Sequence, residues 1–370
     1  LATHRECVST KDITQAIDCA RRYSRRFHLR GVFTAGTDVA YTVACVADAL
    51  GLPGISPRAA LSATDKYRMR QQLQEHDVPC PRFDTAADVE TACSVACDIG
   101  YPLVIKPVDN MGARGVRRIE TEEELRTQVP LSLSHSGAYS NPAVILEEYM
   151  DGPEISMDTL VDEKGDVHVL TIADRHIMFP PYFVEIGHTI PSRLSLPLLE
   201  NAEEVMKKAI RAIGITRGAA KADIKITDSG AKIGEITARL SGGFHSQYTD
   251  PLSTGMRSTK AALDLALGRP LTHDDITPKH RRIAMERAIL PVRGIIESIG
   301  GIEEARAVDG IFDVFLTKRA GERMFPLTSN IGKVGHIIAH GETYGEAEAA
   351  YEKARACIRI NTISPMTNTV

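Results

Sequence analysis

Three polar residues occupy alternate positions of one short run, GEITARLSGG (234–243): Glu235, Thr237 and Arg239. The run reads as a β-strand, so these three share one face while Ile236, Ala238 and Leu240 take the other. Just upstream, KADIKIT (221–227) and AKIGEIT (231–237) flank the link DSG and read as a hairpin, with Gly230 able to take the left-handed conformation. With Thr227 opposite Ala231, counting outward sets Asp223 opposite Glu235. Two carboxylates facing each other across neighbouring strands repel, so the pair calls for a cation. Arg239 could be that cation. A magnesium ion could serve equally, held by carboxylate oxygens together with phosphate oxygens and water.

Three further stretches carry charge where an anion could use it. In VIKPVDNMGARGV (104–116), Lys106 ends an apolar strand, and Gly112 and Gly115 lie in the following loop. The loop is neither a Walker A sequence nor a GxGxxG turn, but a glycine-containing hairpin loop can lay backbone N–H groups over phosphate oxygens. Lys66 sits in the first turn of a helix that Thr64 is expected to cap, where the macrodipole disfavours a cation and a bound phosphate would reverse the sign. In ILEEYMDGPEISMDTLV (145–161), Glu154, Ser156 and Asp158 share one face of a strand, an acidic edge that could hold a ribose diol.

The order of these features resembles the ATP-grasp superfamily, over about Thr64 to Gly268 and more weakly in both flanks. The resemblance implies an α/β (α+β ATP-grasp) fold, ATP as co-substrate, and Mg2+, or alternatively Mn2+, as metal. It implies that Lys66 and Lys106 contact the nucleotide phosphates and that the loop Asn110 to Gly115, with Gly112, closes over them. It further implies that Glu147, Glu148, Tyr149 and Met150 form the adenine hinge, that Glu154 holds the ribose, and that Asp223 and Glu235 hold the metal. The superfamily's Glu-x-Asn-x-Arg is here Glu235-x-Thr237-x-Arg239, so a hydroxyl stands where an amide would complete the metal shell. Arg239 matches the arginine that neutralises the transferred phosphoryl group.

The implied reaction is ADP-forming ligation of a carboxylate and an amine through an acyl phosphate. FPPYFVEIGHTIPSRLS (179–195) is similar to a segment of ligases acting on amino acids and offers Glu185, His188 and Arg193 to an α-amino group or a carboxylate. SGGFHSQYTD (241–250) adds Gly242 and Gly243, whose backbone could approach the transferred phosphate, with His245 and Gln247 as pocket-lining groups. A carboxylase or carbamoyl-phosphate-type enzyme that phosphorylates bicarbonate is an alternative, as is an ATP-binding subunit without turnover, suggested by Thr237.

The elements that must position these residues fall into three blocks. Residues 1–62 read as a partial N-terminal βα layer, with short strands at GVFTAG (31–36) and after GLPGIS (51–56) around a helix in DVAYTVACVADALG (38–51). The chain starts without Met, and a doubly wound sheet starting here would lack its first βα unit, so shortening at the N-terminus is expected. Residues 63–282 read as the ATP-grasp domain with two subdomains, and 283–370 as a strand-rich C-terminal lid that ends in a helix with a Thr343/Glu346 capping box. The 370 residues are 43% hydrophobic and 25% charged, the composition of a globular chain of two or three domains. A net charge of −4 without a basic block argues against a nucleic-acid partner, and no apolar run reaches the roughly 18 residues of a membrane span. The chain therefore reads as cytoplasmic, with small-molecule partners and homo-oligomerisation left open. Seven scattered cysteines indicate neither a disulfide framework nor a zinc site, and Cys93 and Cys97 read as the buried face of one helix.

Overall fold

The computed structural model describes residues 3–139 and 141–364. Its first segment is helical: Ile13–Ser24, Ala40–Ala49 and Pro57–Ser62. Ser56 caps the last of these by accepting from Ala59 N, with Pro57 at the first helical position, where a missing N–H costs nothing. The two short strands expected here do not form: 31–36 carry no strand pairing, and the chain after 51–56 is the helix Pro57–Ser62. Residues 31–36 instead run against other backbone: a Cβ on Gly31 would lie 2.4 Å from Ala266 O, and one on Gly36 2.9 Å from Gly242 Cα. The next helix, Lys66–Glu75, is capped by Asp65, which accepts from Arg68 N, and not by Thr64, whose hydroxyl donates back to Ala60 O. Lys66 therefore begins the helix.

Four antiparallel strands, β1 (Phe83–Ala86), β2 (Leu103–Pro107), β3 (Arg117–Ile119) and β4 (Val144–Glu148), form a sheet in the order β1-β4-β2-β3. Helices Val89–Ile99 and Glu122–Leu133 pack on it through Ala92, Ala96, Leu125 and Val129 against Leu103, Ile105 and Ile119. Cys93 belongs to this buried face, but Cys97 is exposed, so only one of the two cysteines is a core residue.

The second sheet has eight strands: β5 (Glu154–Val161), β6 (Val167–Met178), β7 (Val184–Ile190), β8 (Gly218–Thr227), β9 (Gly230–Thr237), β10 (Ile283–Ile289), β12 (Ile311–Leu316) and β14 (Gly335–Gly341). Their order is β12-β14-β10-β7-β6-β5-β8-β9. Three strands from beyond residue 283 thus continue the sheet begun at Glu154. A small sheet of β13 (Arg323–Met324), β11 (Gly294–Gly300) and β15 (Arg359–Ile363) completes that last block. The apolar face of Leu196–Ile213 covers the eight-stranded sheet through Ala202, Val205, Met206, Ala209 and Ile213, and Gly214 ends this helix in the left-handed conformation. Helix Tyr344–Cys357 begins with the Thr343/Glu346 capping box and buries Ala347, Ala350 and Ala354.

The β8–β9 hairpin brings Asp223 opposite Glu235, but by a different route from the simple count. Thr227 pairs with Gly230, leaving two residues in the loop, and a bulge at Gly234 then restores the offset. The bulge strand comes close to its partner, since a Cβ on Gly234 would lie 3.1 Å from Asp223 O. Lys232, Glu235 and Thr237 face one side of β9, while Ala231, Ile233 and Ile236 enter the core.

The seam between β7 and β10 joins the last block to the rest of the sheet through Gly187 paired with Arg287 and His188 with Glu286. Gly187 has φ +153°, and a Cβ there would sit 2.1 Å from Glu286 O. Gly187→Ala is expected to destabilise the fold by about 2–4 kcal/mol in urea denaturation. Gly300→Ala, where an added Cβ meets nothing within 4 Å, should stay within about 0.5 kcal/mol of the parent.

Candidate active site

The two large sheets face a cleft of about 460 Å³. Asp223 and Glu235 line it together, and their repulsion is offset by separate cations. Lys66 Nζ lies 2.9 Å from Glu235, while Asp223 Oδ2 receives Lys221 Nζ at 2.5 Å and Arg175 Nη1 at 3.0 Å. Burial works against the charge of Glu235, but Lys66 and Lys221 outweigh it and hold this carboxyl well below the usual range. Arg239 is not the compensating cation. It lines the same cleft but points its Nε at Asp38, 2.9 Å away, and its Nη1 at Leu240 O.

Two oxygens here remain unengaged: Asp223 Oδ1 and Thr237 Oγ1 are buried without a hydrogen-bond partner. With the Glu235 carboxylate they form an all-oxygen donor set of the kind that suits Mg2+ or Mn2+. Among the described residues no three acids, histidines or cysteines converge to hold a metal unaided, so such a set would need phosphate oxygens and water to complete it.

Lys106, on β2, and Glu147, on β4, occupy the adjoining wall. Glu147 is only 1% exposed and is bound by Lys106 Nζ at 2.5 Å and Arg70 Nη2 at 2.8 Å. Burial disfavours its charge, but the Arg70 and Lys106 charges lower its carboxyl below the ordinary value. Its backbone is paired with both Phe83 and Val104, so Glu147 cannot offer main-chain groups to an adenine. The N–H groups of Glu148 and Tyr149 are also engaged, by Arg82 O at 2.9 Å and Pro102 O at 3.4 Å, while Glu148, Tyr149 and Met150 all line the cleft and Glu148 is bound by Lys232 at 2.7 Å. Glu154 also lines it, paired with Arg175 and, at 3.5 Å, with Lys225. In the glycine loop, Asn110 and Gly112 line the cleft and Asn110 O accepts from Lys66 Nζ at 2.7 Å. Gly115 does not reach it; it packs against Pro107 and His135.

The far end is built from β7, the turn after Arg239 and the last block. Glu185 lines it and is held by Arg175 at 2.7 Å. His188 donates to or accepts from Thr249 Oγ1 at 2.7 Å and stacks on His245, with ring centres 4.9 Å apart. Burial, then the neighbouring His245, pushes His188 well below its ordinary value, and burial lowers His245 from its own. Gly242 and Gly243 border the cleft in a turn fixed by buried Asp158, which accepts from Ser241 N at 3.0 Å and Ser241 Oγ at 2.7 Å. A five-residue π-helical turn, His245–Thr249, follows. Arg193 lies outside the cleft, half exposed, over the Tyr344 ring and 3.4 Å from Glu348; Gln247 is exposed as well.

With this geometry the comparisons with known proteins agree. The family model of the ATP-grasp domain matches residues 99–247, and that of the L-amino acid ligase C-terminal domain 2 matches 288–362. Residues 99–247 thus carry an ATP-grasp domain. An L-amino acid ligase from Bacillus licheniformis superposes with a TM-score of 0.81 at 27% identity, over 95% of this chain and 86% of that one. A phosphoribosylglycinamide synthetase from Anaerococcus prevotii shares the fold, with a TM-score of 0.74 at 19% identity over 98% and 89%. By sequence, an uncharacterised protein of Sinorhizobium fredii is 27% identical across 94% of this chain and 71% of its own length. The carbamoyl phosphate synthase large chain of Kocuria rhizophila is also 27% identical, across 88% of this chain but only 31% of its own length.

Several residues of this cleft belong to no motif, namely Arg175, Lys221, Glu286, Lys333 and His336, and neither does Arg70, buried behind Glu147. Lys221 alone carried a usable signal, because it alternates with Asp223 on the same strand face. Arg175 lies on β6 and serves three acids, Glu154, Glu185 and Asp223, that no common motif links to it.

The charge states give a prediction. His188 and His245 are neutral in the fold below the ordinary histidine value of 6.5, so the unfolded chain binds more protons there and stability is lost as pH falls through that value. The depressed Glu185 and Glu235 act in the same direction over a lower range, contributing stability that is present above the ordinary carboxyl value of 4.5 and lost only below it. Between about pH 6.5 and 5 the unfolding free energy should therefore drop by up to about 1.4 kcal/mol per pH unit per buried histidine. His188→Gln should flatten that slope in denaturant titrations at fixed pH, and an unchanged slope would remove His188 as its source.

Proposed function

We propose that this protein is an ADP-forming ligase that joins a carboxylate to an amine through an acyl phosphate, with an amino acid as at least one substrate. The observation that carries this reading is the facing of Asp223 and Glu235 in one cleft lined also by Lys66, Lys106 and Arg239. The likeness to the L-amino acid ligase of Bacillus licheniformis over most of both chains supports an amino-acid substrate.

In this reading ATP enters with its phosphates beside Lys66, Lys106 and the loop from Asn110 to Gly112, and its base against Glu148 to Met150. Glu154 takes the ribose. When bound, the divalent cation would neutralise phosphate oxygens, held by Asp223, Glu235 and Thr237. Lys66 and Lys106 already lean on carboxylates, so they exchange one anion for another when phosphate arrives. Arg239, beside the Gly242–Gly243 turn, is placed to stabilise charge on the transferred group as a substrate carboxylate attacks the γ-phosphorus. The amine then displaces phosphate from the acyl carbon, with Glu185 and His188 lining the space on that side. Asn330 N donates to Gly112 O at 3.2 Å, so residues of the last block cover the glycine loop and keep water from the acyl phosphate.

Phosphate release should require ATP, Mg2+ and a paired acid and amine, and should yield ADP. Dependence on bicarbonate alone would favour a carboxylase, and AMP as product would exclude the acyl-phosphate route. Glu235→Gln should cut ADP release by about 10²–10³-fold while the circular dichroism spectrum is retained. Full activity in that variant would remove Glu235 from the metal site.

A further inference from the structure

The glycine loop, 110–115, is held firmly at both ends but hardly at its tip. Lys66 Nζ donates to Asn110 O at 2.7 Å, Asn110 Nδ2 to His135 O at 2.8 Å, and Ser132 Oγ to Gly115 O at 2.7 Å. Met111, Gly112 and Ala113 form the tip and line the cleft. Ala113 has φ +58°, a conformation strained for any residue that carries a Cβ, so the tip needs contacts that hold it. Among the described residues, one hydrogen bond ties the tip to anything outside 110–116: Asn330 N donates to Gly112 O at 3.2 Å.

Asn330 belongs to the segment between β13 and β14, which is anchored on either side. Leu327 is buried, and Val334 is buried with its N–H donating to Ile289 O at 2.8 Å and its O accepting from Thr317 N at 2.9 Å. The Asn330 side chain makes a second tie. Its Oδ1 accepts from Glu185 N at 2.9 Å, and only the oxygen of an amide can accept, so the side chain has one orientation there. Glu185 lies on β7, and its carboxylate is held by Arg175, the guanidinium that also reaches Asp223. One residue therefore connects the tip of the glycine loop with the strand whose charge is linked to the acid pair.

In the ligase reading the acyl phosphate forms between these two elements. Water that reached it would return the free acid and phosphate, spending ATP without forming an amide. We propose that Asn330 is a positioning residue that braces the glycine loop against β7 and so shields the acyl phosphate from water until the amine attacks. This rests on the ligase reading above and adds how ATP use is coupled to amide formation.

The test uses the whole chain with ATP, Mg2+ and an acid and amine chosen from a panel by ADP release, with ADP and amide measured in one sample. The parent should form the two in nearly equal amounts. Asn330→Ala keeps the backbone N–H but removes the acceptor for Glu185 N, and should raise the ADP formed per amide by about two- to tenfold, the worth of one lost hydrogen bond. Asn330→Asp, which keeps an oxygen for Glu185 N, should bring the ratio most of the way back. A loss of both products at an unchanged ratio marks a merely structural residue and overturns the proposal. Hydrogen exchange needs no turnover: with Mg2+ and a nonhydrolysable ATP analogue, the Asn330 and Glu185 amides should exchange slowly in the parent, and residues 111–113 faster in Asn330→Ala. Rapid exchange of both amides in the parent overturns the proposal, and does so even if the variant does not fold. No ADP from any acid and amine would sink the ligase reading instead, and the exchange data would then decide the brace alone.

Discussion

The cleft depends on keeping two carboxylates, Asp223 and Glu235, ionised and opposite each other in a buried place. Like charges on facing strand positions are unfavourable, and burial adds to the cost. The chain meets this with a cation for each acid: Lys66 from the start of its helix for Glu235, and Lys221 with Arg175 for Asp223. These cations do more than neutralise. Each is a group that a phosphate would also attract, so a nucleotide arriving with a divalent ion can take over both sets of partners at once. In the proposed reading such a site would work by charge exchange, one anion replacing another on the same cations.

A second charged group holds the two sheets at the right separation. Arg70 is fully buried, with Nε 2.9 Å from Glu147 on β4 and Nη2 2.6 Å from Gly234 O on β9. It thus links the four-stranded sheet to the bulge that sets the Asp223–Glu235 register. Lys232 to Glu148 adds a parallel link at the cleft edge. Buried ion pairs are seldom a net source of stability over an apolar alternative, because desolvation offsets the attraction. Their effect here is geometric: Lys106 and Lys66 are held on one side of the cleft and the acids on the other by contacts with defined direction.

The sequence already displayed the chemistry carried by local periodicity. Strand alternation put Glu235 and Thr237 on one face, and the hairpin set Asp223 against Glu235 even though the count missed the two-residue loop and the bulge, whose errors cancel. Caps and amphipathic faces located the helices Leu196–Ile213 and Tyr344–Cys357. Long-range pairings were not legible. Nothing near Glu147 in sequence announces Arg70, and a glutamate at a strand end reads as a hinge until its backbone is found paired on both sides. Arg193 has the charge of a substrate ligand, but its position after β7 turns it outward onto Tyr344. The short strands expected before residue 60 have the right residue types without the neighbours that a strand requires.

The last block shows why chain order is a poor guide to the make-up of the cleft. Its strands β10, β12 and β14 pair onto β7, so Glu286 lies opposite His188 by backbone register. The two faces of β10 then do different work: Glu286 turns into the cleft toward His336, while Arg287 turns away to bind His188 O and Thr189 Oγ1 and secures the seam. Because this wall is continuous with the sheet that carries Asp223, its position is set by hydrogen bonds across the ladder. A shift of β10 by one residue would exchange Glu286 for a guanidinium and reverse the charge presented to the cleft. The polarity of this end of the cleft is therefore fixed by strand register, in the same way that the pairing of Asp223 with Glu235 is.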